Sequence, residues 1–380
     1  MFFSYGKITL ISAASGCFLL FSIVATSGIV FADFNFGAAG DWGCTSSTSS
    51  TVSNIKGKNP ERVLAVGDYS YSPSASCWLS KINDIKSKTR IAIGNHEDDS
   101  DEGFSQYMNA FGLSKTYYAF GYNNVHVLVM DTDHISFSTG SSQYNFVKSD
   151  LAYASQNPNI KWIIVYLHKE FYTSPNTCSS SSCSNTGSTA KSLRSTYHAM
   201  FDKYGVDVVL QGHVHNYQRT YPVTYDGTSS PTITSSSSTN YNDPKGEIFV
   251  IVGTGGVNFH ALSGKASFVK TQQDKKFGAL NIVVTNNGYK LLGQYYSNGG
   301  SKLDEFSITK TGTSTLATTS TAGKYVYGPS LTLSGEDSTA KNGENTGKQT
   351  QAPNRPTGPN GQGKGLDCAH FTQKGPVRCR

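Results

Sequence analysis

Charged side chains are scarce in this chain of 380 residues, since Asp, Glu, Lys and Arg together make up only 15% of it. Hydrophobic residues account for 37% and aromatic residues for 12%, which is enough to bury a sizeable core. These proportions exclude wholesale disorder, a coiled coil and a collagen-like rod. Because the length exceeds what one core usually serves, we expect one large domain with extra segments, or two smaller domains.

An excess of charge of one sign is also missing from most of the chain. The net charge is +6, but residues 311–380 carry eight Lys or Arg against four Asp or Glu, so only +2 remains for the other 310 residues. The chain also lacks a basic motif interleaved with aromatic residues. A specific nucleic-acid partner is therefore not predicted.

The sequence has no Cys-x-x-Cys pair of the kind that indicates a zinc site. Cys17 lies in an apolar N-terminal stretch, and the other six cysteines form local pairs. These pairs are Cys44 with Cys77, Cys178 with Cys183, and Cys368 with Cys379. We predict up to three disulfides and an oxidising compartment.

The N-terminus independently indicates export. Residues 8–32 form a segment without a charged side chain, preceded by Lys7. Such a segment predicts either a signal peptide or an uncleaved membrane anchor, and therefore a protein that is secreted or anchored to the outer face of the membrane. We assign residues 1–32 to this leader, 33–310 to the main domain and 311–380 to a tail rich in Ser, Thr, Gly and Pro.

Short apolar runs alternate with longer mixed segments. Runs typical of buried strands are residues 34–39, 62–66, 90–93, 125–130, 162–167 and 206–210, and segments typical of helices are 77–86, 103–111, 141–156 and 190–204. Strands separated by turns follow from 246 to 310, which favours antiparallel pairing. We predict an α/β fold with mixed sheets. Ser- and Thr-rich stretches at 45–53, 179–184 and 228–239 are interpreted as exposed loops.

Side chains that can bind metal ions follow strand after strand. They are Asp41, Asp68, Tyr71, Asn95, His168, His213 and His215. In an open α/β sheet such strand ends face one crevice, so residues that are distant in sequence converge there. Glycines before Asp41, Asp68, Asn95 and His213 allow close backbone approach. Three carboxylate or amide oxygens, three imidazoles and one phenol predict a pair of metal sites.

The residue types also predict a reaction. A carboxylate such as Asp68 can bridge two ions, and His213 and His215 lie on the same side of an extended segment, so each can serve a different ion. Two ions about 3.5 to 4 Å apart can hold a hydroxide and both ends of a phosphoryl displacement. The predicted reaction is therefore hydrolysis of a small phosphorylated substrate.

The order of these motifs resembles the calcineurin-like metallophosphoesterase superfamily, and within it the purple acid phosphatases. The general superfamily begins with Asp-x-His and Gly-Asp-x-x-Asp, whereas the purple branch has Asp-x-Gly and Gly-Asp-x-x-Tyr. This chain has Asp41-Trp42-Gly43 and Gly67-Asp68-Tyr69-Ser70-Tyr71. The resemblance covers about residues 34–310. It implies a four-layer α-β-β-α sandwich of mixed sheets, with the metal site at the carboxyl ends of the strands.

The resemblance also implies a role for each motif residue. Asp41, Asp68, Tyr71 and His215 would hold a ferric ion, and Asp68, Asn95, His168 and His213 a divalent iron, zinc or manganese ion. Metal-bound hydroxide would attack phosphorus, and His96 would bind the phosphate or protonate the departing alkoxide. The family usually has another His or Glu eight to ten residues after the residue matching His168, where this chain has Asn176-Thr177-Cys178.

Two alternatives stay open beside a phosphomonoesterase. A phosphodiesterase or nucleotide pyrophosphatase would use the same metal core, and a cell-surface phosphate-binding module would be non-enzymatic. The oligomeric state is also open. For the other polar residues, Lys169 is expected at the surface, His126 outward on its strand and His198 in a structural role, while His134 and His260 are candidates for the edge of the crevice.

Overall fold

The computed structural model describes residues 32–97, 100–178, 183–237, 239–311 and 326–327. All of them belong to the first of two compact units, Met1–Ser334, and the second unit, Gly335–Arg380, lies outside the described residues. The predicted leader before residue 32, nearly all of the predicted tail, and Cys17, Cys368 and Cys379 also lie outside them. Within the described ranges, we find no helix of the length and hydropathy needed to span a bilayer.

Alternating strands and helices make up the first two thirds of the described chain, and strands alone the last third. The helices are α1 Ser46–Gly57, α2 Ser76–Lys81, α3 Asp101–Ala110, α4 Ser142–Gln156, α5 Ser188–Leu193 and α6 Ala199–Tyr204, with a 3-10 turn at Lys86–Lys88 and a π-helical turn at Arg194–His198. The strands are β1 Phe34–Ala39, β2 Arg62–Ala65, β3 Thr89–Ile91, β4 Tyr118–Tyr122, β5 Val125–Val129, β6 Trp162–Tyr166, β7 Val208–Gln211, β8 Tyr217–Thr220, β9 Val223–Thr224, β10 Thr232–Ile233, β11 Asn240–Asn242, β12 Ile248–Val252, β13 Val269–Gln273, β14 Gly278–Thr285, β15 Lys290–Ser297, β16 Lys302–Thr309 and β17 Val326–Tyr327.

The strands form two large mixed sheets and a small β9–β10 pair. The first sheet has the order β11-β16-β15-β14-β1-β2-β3, and the second β13-β8-β12-β7-β6-β5-β4-β17. Parallel pairing joins β1, β2 and β3 in the first sheet, and β5, β6, β7 and β12 in the second. The predicted antiparallel pairing after residue 246 is confirmed for β14, β15 and β16.

The two sheets pack face to face, and helices cover their outer faces. Apolar side chains from both sheets form the inner core, including Phe36, Leu64 and Ile282 from the first and Val127, Ile164 and Val250 from the second. Residues of α4, the π turn and α6 pack on the second sheet, and residues of α1, α2 and α3 on the first. The predicted mixed α/β sandwich with four layers is therefore confirmed.

The expectation that residues 45–53 form an exposed loop is wrong, because α1 begins at Ser46. Thr45 caps this helix by accepting a hydrogen bond from the backbone N–H of Thr48, and the Thr48 side chain completes a capping box. Thr48, Val52 and Ile55 are buried at helical spacing. Ser and Thr are weak helix formers, but the cap and this buried face outweigh their low propensity.

Two of the three predicted disulfides are present. Cys44 and Cys77 join the turn after β1 to α2 with a Cα–Cα distance of 6.1 Å, and Cys178 and Cys183 are joined with a distance of 6.0 Å. The first bridge therefore ties together segments that flank the ends of β1 and β2.

The expectation of an outward His126 is wrong. The residue is 1% exposed, and its Nε2 lies 2.7 Å from Oδ2 of Asp150 on α4. The reason is that β5 is covered on both faces, by the first sheet and by α4, so alternation places His126 under a helix and not in solvent.

Candidate metal centre

The seven residues predicted as metal ligands follow strand ends of both sheets. Asp41 follows β1, Asp68 and Tyr71 follow β2, Asn95 follows β3, His168 follows β6, and His213 and His215 follow β7. These strand ends meet, and six of the seven side chains form two groups of contacts that share Asp68, while Asn95 contacts Lys169. The ligand roles of all seven residues stay predictions.

The first group contains Asp41, Asp68, Tyr71 and His215. The Tyr71 hydroxyl lies 3.0 Å from His215 Nε2, 3.3 Å from Asp68 Oδ2 and 3.4 Å from Asp41 Oδ1. His215 Nε2 is 3.5 Å from Asp41 Oδ1. Donor atoms of the two aspartates and His215 all lie within 4.8 Å of one another, which is close enough for one ion to bind all three.

The second group contains Asp68, His168 and His213, whose donor atoms also lie within 4.8 Å of one another. His168 Nδ1 donates to the carbonyl of Val66 at 2.9 Å, and this directs Nε2 to within 3.1 Å of Asp68 Oδ2. This Nε2 is buried and faces the Asp68 carboxylate. A buried imidazole nitrogen held in this way by its other nitrogen is typical of a metal ligand.

Lys169 lies beside the second group and contacts His213, so the expectation of a surface lysine is wrong. The residue is 7% exposed, because the turn after β6 is buried. Its Nζ lies 2.5 Å from Asn95 Oδ1, 3.0 Å from His213 Nδ1 and 3.3 Å from Asp133 Oδ1. Asn95 is therefore connected to the group through the ammonium, which contacts two side chains predicted to bind the second ion.

Buried carboxyl groups and a phenol lie close together at this site, where desolvation disfavours their charged forms. Desolvation raises the pKa of Asp41 to about 8, with the charge of Asp68 adding to the effect. Burial also raises the pKa of Tyr71 well above its usual value, as do the charges of Asp68 and Asp41. A bound cation would favour the charged forms of Asp41, Asp68 and Tyr71. The donor set therefore fits the two ions that the motifs predict.

Four of the seven residues have left-handed backbone conformations. The φ angles are +57° at Asp41, +54° at Asp68, +51° at Tyr71 and +65° at His213. Each such conformation costs on the order of 1 kcal/mol for a residue with a side chain, and such strain clusters at functional sites. Hydrogen bonds hold two of these turns, because the Asp41 carboxylate accepts from the His213 N–H at 3.0 Å and the Asp68 carboxylate from the His96 N–H at 3.0 Å.

Close backbone packing explains the glycine of the Gly67-Asp68 turn in physical terms. Gly67 has φ +85°, and a Cβ placed on it would lie 2.6 Å from His168 Nδ1. No other residue fits here without moving the imidazole. This confirms the expectation that glycine permits close backbone approach at the crowded strand end.

Glu97 supports the site and was not assigned a role from the sequence. Its buried carboxylate accepts hydrogen bonds from the backbone N–H groups of Asp68 at 2.9 Å, Tyr69 at 2.7 Å and Gly94 at 2.7 Å. It therefore joins the turns after β2 and β3. Burial, with the neighbouring charge of Asp68, raises the pKa of Glu97 to about 8. In the sequence, its position directly after Asn95-His96 is the feature that could indicate this role.

The remaining histidines differ in their placement. His96 is half-buried, and its ring lies 4.2 Å from the ring of Tyr71. His260 stacks on His215 with a centroid distance of 3.9 Å, so it lines the edge of the first group. His134 stacks instead on Phe104 at 4.7 Å.

A model of the calcineurin-like phosphoesterase family matches residues 29–217 of the chain. "Probable inactive purple acid phosphatase 1" of Arabidopsis thaliana is 28% identical, over 67% of this chain and 44% of the relative. "Purple acid phosphatase 15" of the same plant is 25% identical over 57% and 44%, and the "Phosphoenolpyruvate phosphatase" of Allium cepa 26% identical over 59% and 49%. The chain thus spans about half the length of these curated relatives, or less.

Two solved structures share the fold. A purple acid phosphatase, PPD1, from seeds of yellow lupin (Lupinus luteus) has a TM-score of 0.60 at 20% identity, over 73% of this chain and 54% of that one. GAP50 of Plasmodium, described as the anchor in the inner membrane complex, has a TM-score of 0.57 at 15% identity, over 76% of this chain and 92% of that one. At these identities the two structures show a common architecture.

Proposed function

Because the chain belongs to the calcineurin-like phosphoesterase family and has purple acid phosphatases among its relatives, we propose that it is an exported, dinuclear metal-dependent phosphatase acting on small phosphomonoesters. The observation that carries this proposal is the pair of ligand groups sharing Asp68. A single bridging carboxylate between two groups of imidazole and carboxylate donors is the arrangement that two-metal phosphoryl transfer needs.

The two groups differ in the ions that suit them. Asp41, Asp68, Tyr71 and His215 would hold Fe(III), for which a phenolate is a good ligand. Asp68, Asn95, His168 and His213 would hold divalent iron, zinc or manganese, which accept imidazole and oxygen donors. When bound, the two cations supply Lewis acidity to the phosphate and lower the pKa of a bound water toward about 7.

The side chains of the chain supply orientation and proton transfer. Asp68 fixes the backbone of His96 through its Oδ1, and the Tyr71 ring packs against the imidazole. We assign to His96 the binding of the substrate phosphate or the donation of a proton to the departing alkoxide oxygen. The stacked His260 restricts the position of the His215 ring.

Export is supported by the covalent chemistry of the described domain. The Cys44–Cys77 and Cys178–Cys183 bridges are stable in an oxidising compartment. The uncharged segment at residues 8–32 provides a means of export by cleavage or by anchorage to the membrane.

Matched assays with p-nitrophenyl phosphate and bis(p-nitrophenyl) phosphate test the substrate class. We expect faster hydrolysis of the monoester, whereas faster hydrolysis of the diester would favour a phosphodiesterase or nucleotide pyrophosphatase.

A visible spectrum tests the identity of the metals. A Tyr71 phenolate bound to Fe(III) gives a charge-transfer band, which Tyr71→Phe removes and the surface control Tyr153→Phe retains. A colourless protein with two zinc or manganese ions would contradict the assignment of Fe(III).

A phosphate-binding module without turnover is the second candidate, and the position of Lys169 favours it. The ammonium contacts Asn95 and His213, and can stand in for the second cation. One of the relatives is also named as a probable inactive enzyme.

If the ammonium of Lys169 replaces the second cation, Lys169→Met would bind one divalent ion more than the wild type, and the wild type would bind phosphate without hydrolysing esters. If both ions bind beside Lys169, the variant holds as many ions as the wild type. Lys81→Met is the control, at a half-buried lysine whose Nζ lies 3.0 Å from Ser49 Oγ.

A further inference from the structure

A third group of metal-type donors shares no residue with the candidate centre. It consists of His198, Asp202 and Glu247, one donor atom of each lying within 4.8 Å of the others. His198 ends the π-helical turn, Asp202 lies on α6, and Glu247 directly precedes β12. His198 and Glu247 are 0% exposed. His198 and Glu247 are thus enclosed between the helical layer and the second sheet, and Asp202 is half-buried beside them.

The local helix geometry brings these donors together. The π-helical turn Arg194–His198 lies between α5 and α6, and His198 and Asp202 are four residues apart, so they share one face of the helix. Glu247 reaches that face from the sheet, with its Oε1 3.0 Å from His198 Nε2. Short π-helical turns inside α-helices often occur at functional sites.

Asp202 Oδ2 accepts a hydrogen bond from the N–H of Tyr225 at 2.9 Å, but other buried polar atoms of this group are not satisfied in this way. Within the described ranges, neither oxygen of Glu247 nor Nε2 of His198 has a partner in hydrogen-bond geometry. No described Lys or Arg forms a salt bridge with Asp202 or Glu247 either, and the neighbouring Arg194 donates to backbone carbonyls. Two neighbouring carboxylates whose charge is balanced by no described Lys or Arg are destabilising in a buried place.

The other imidazole nitrogen is already oriented. His198 Nδ1 lies 2.8 Å from the hydroxyl of Tyr172, and the rings of Phe249 and Tyr225 flank the imidazole at 5.0 Å and 5.4 Å. A metal-binding histidine usually has its second nitrogen held by such a hydrogen bond. This contact leaves Nε2 directed at the carboxylates.

We propose that His198 Nε2 and the carboxylates of Asp202 and Glu247 form a structural site for a divalent transition-metal ion, with Zn²⁺ the preferred occupant. Imidazole and carboxylate donors at about 2.0 to 2.2 Å from a tetrahedral Zn²⁺ are about 3.4 Å apart, so a small outward shift from the 3.0 Å between His198 Nε2 and Glu247 Oε1 admits the ion. The ion would join α6 to β12, and through Tyr172 it would brace the segment that follows His168.

A proton can occupy the site instead, since burial and the charge of Asp202 raise the pKa of Glu247 well above its usual value. Zinc binding by the chelator-treated full chain distinguishes the two. We expect Glu247→Gln to bind one Zn²⁺ fewer per chain than the wild type. Asp150→Asn is the matched control, because it disrupts a buried His–Asp pair without a third donor and leaves the Zn²⁺ count unchanged.

The result that would overturn the proposal is an equal Zn²⁺ count for folded Glu247→Gln and wild type, together with an infrared band of a protonated carboxyl group that only the wild type shows. If Glu247→Gln does not fold, anomalous scattering from wild-type crystals at the zinc edge decides the question. A peak at bonding distance from His198 Nε2 supports the site, and no peak there refutes it. Asp68→Asn retains this ion, so failure here is distinguishable from failure of the phosphatase proposal.

Discussion

Glu97 is the residue through which the turns bearing the ligands are held, and Glu97→Gln removes part of that support. The carboxylate is 1% exposed, and its Oε2 accepts from the N–H groups of Asp68 and Gly94 while Oε1 accepts from the N–H of Tyr69. The glutamine amide oxygen can keep the two bonds at Oε2. Its NH₂ group has no lone pair to accept the third bond, and it places a donor against the Tyr69 N–H.

The expected loss of stability follows from the number of hydrogen bonds, of which two are kept and one is lost. Leaving one buried backbone donor without its acceptor costs about 1 to 3 kcal/mol, and the donor–donor contact adds to the loss. We therefore expect the free energy of unfolding to fall by about 2 to 3 kcal/mol. Because Asp68 is displaced with its turn, the affinity for metal should fall about 10- to 100-fold, as when other partners of metal ligands are removed.

Urea unfolding of the metal-free protein and a metal titration measure the two effects separately. The control is Glu305→Gln, at an exposed carboxylate paired with Lys302, for which we expect a change within about 0.5 kcal/mol. An equal stability and equal metal affinity for Glu97→Gln and wild type would show that the three hydrogen bonds do not hold the site.

Three further variants test the site and the core. His96→Ala should keep the bound metals and lose about 10²- to 10⁴-fold in turnover, and an unchanged rate of monoester hydrolysis would remove His96 from the mechanism. Trp78→Ala should cost about 3 to 5 kcal/mol in urea unfolding, because the indole is fully buried and stacks on Tyr69 at 4.0 Å; a loss below about 1 kcal/mol would mean that the core closes around the gap. Replacing Cys44 and Cys77 by Ser should cost about 3 to 4 kcal/mol, from the loop of 33 residues that the bridge closes, and equal unfolding midpoints would contradict this.

The strand ends could be predicted from the sequence because two simple patterns coincide there. An apolar run typical of a buried strand ends two residues before Asp41 and Asp68 and three residues before His213, and a glycine directly precedes each of these three residues. The carboxyl ends of parallel strands lie at the same edge of a sheet, so convergence within each of the two sheets follows from the order of the elements. The same argument covers His168, which lies two residues after the end of β6.

The predictions that were wrong share a different cause, because they depend on which neighbouring element covers a residue. Lys169 and His126 look like surface residues by type, but packing from other elements buries both. Thr48 likewise lies in a polar stretch, yet its hydroxyl donates to the carbonyl of Trp42 and its helix covers the first sheet. Tertiary contacts of this kind override local propensity and cannot be derived from spacing alone.

The metal content of Asp68→Asn relative to wild type tests the central claim most directly. Because Asp68 belongs to both ligand groups, the account predicts that this one substitution reduces the affinity for both ions of the centre, so that two equivalents per chain are lost together with monoester hydrolysis. A folded Asp68→Asn protein that retains the full metal content of the wild type would contradict the two-ion centre.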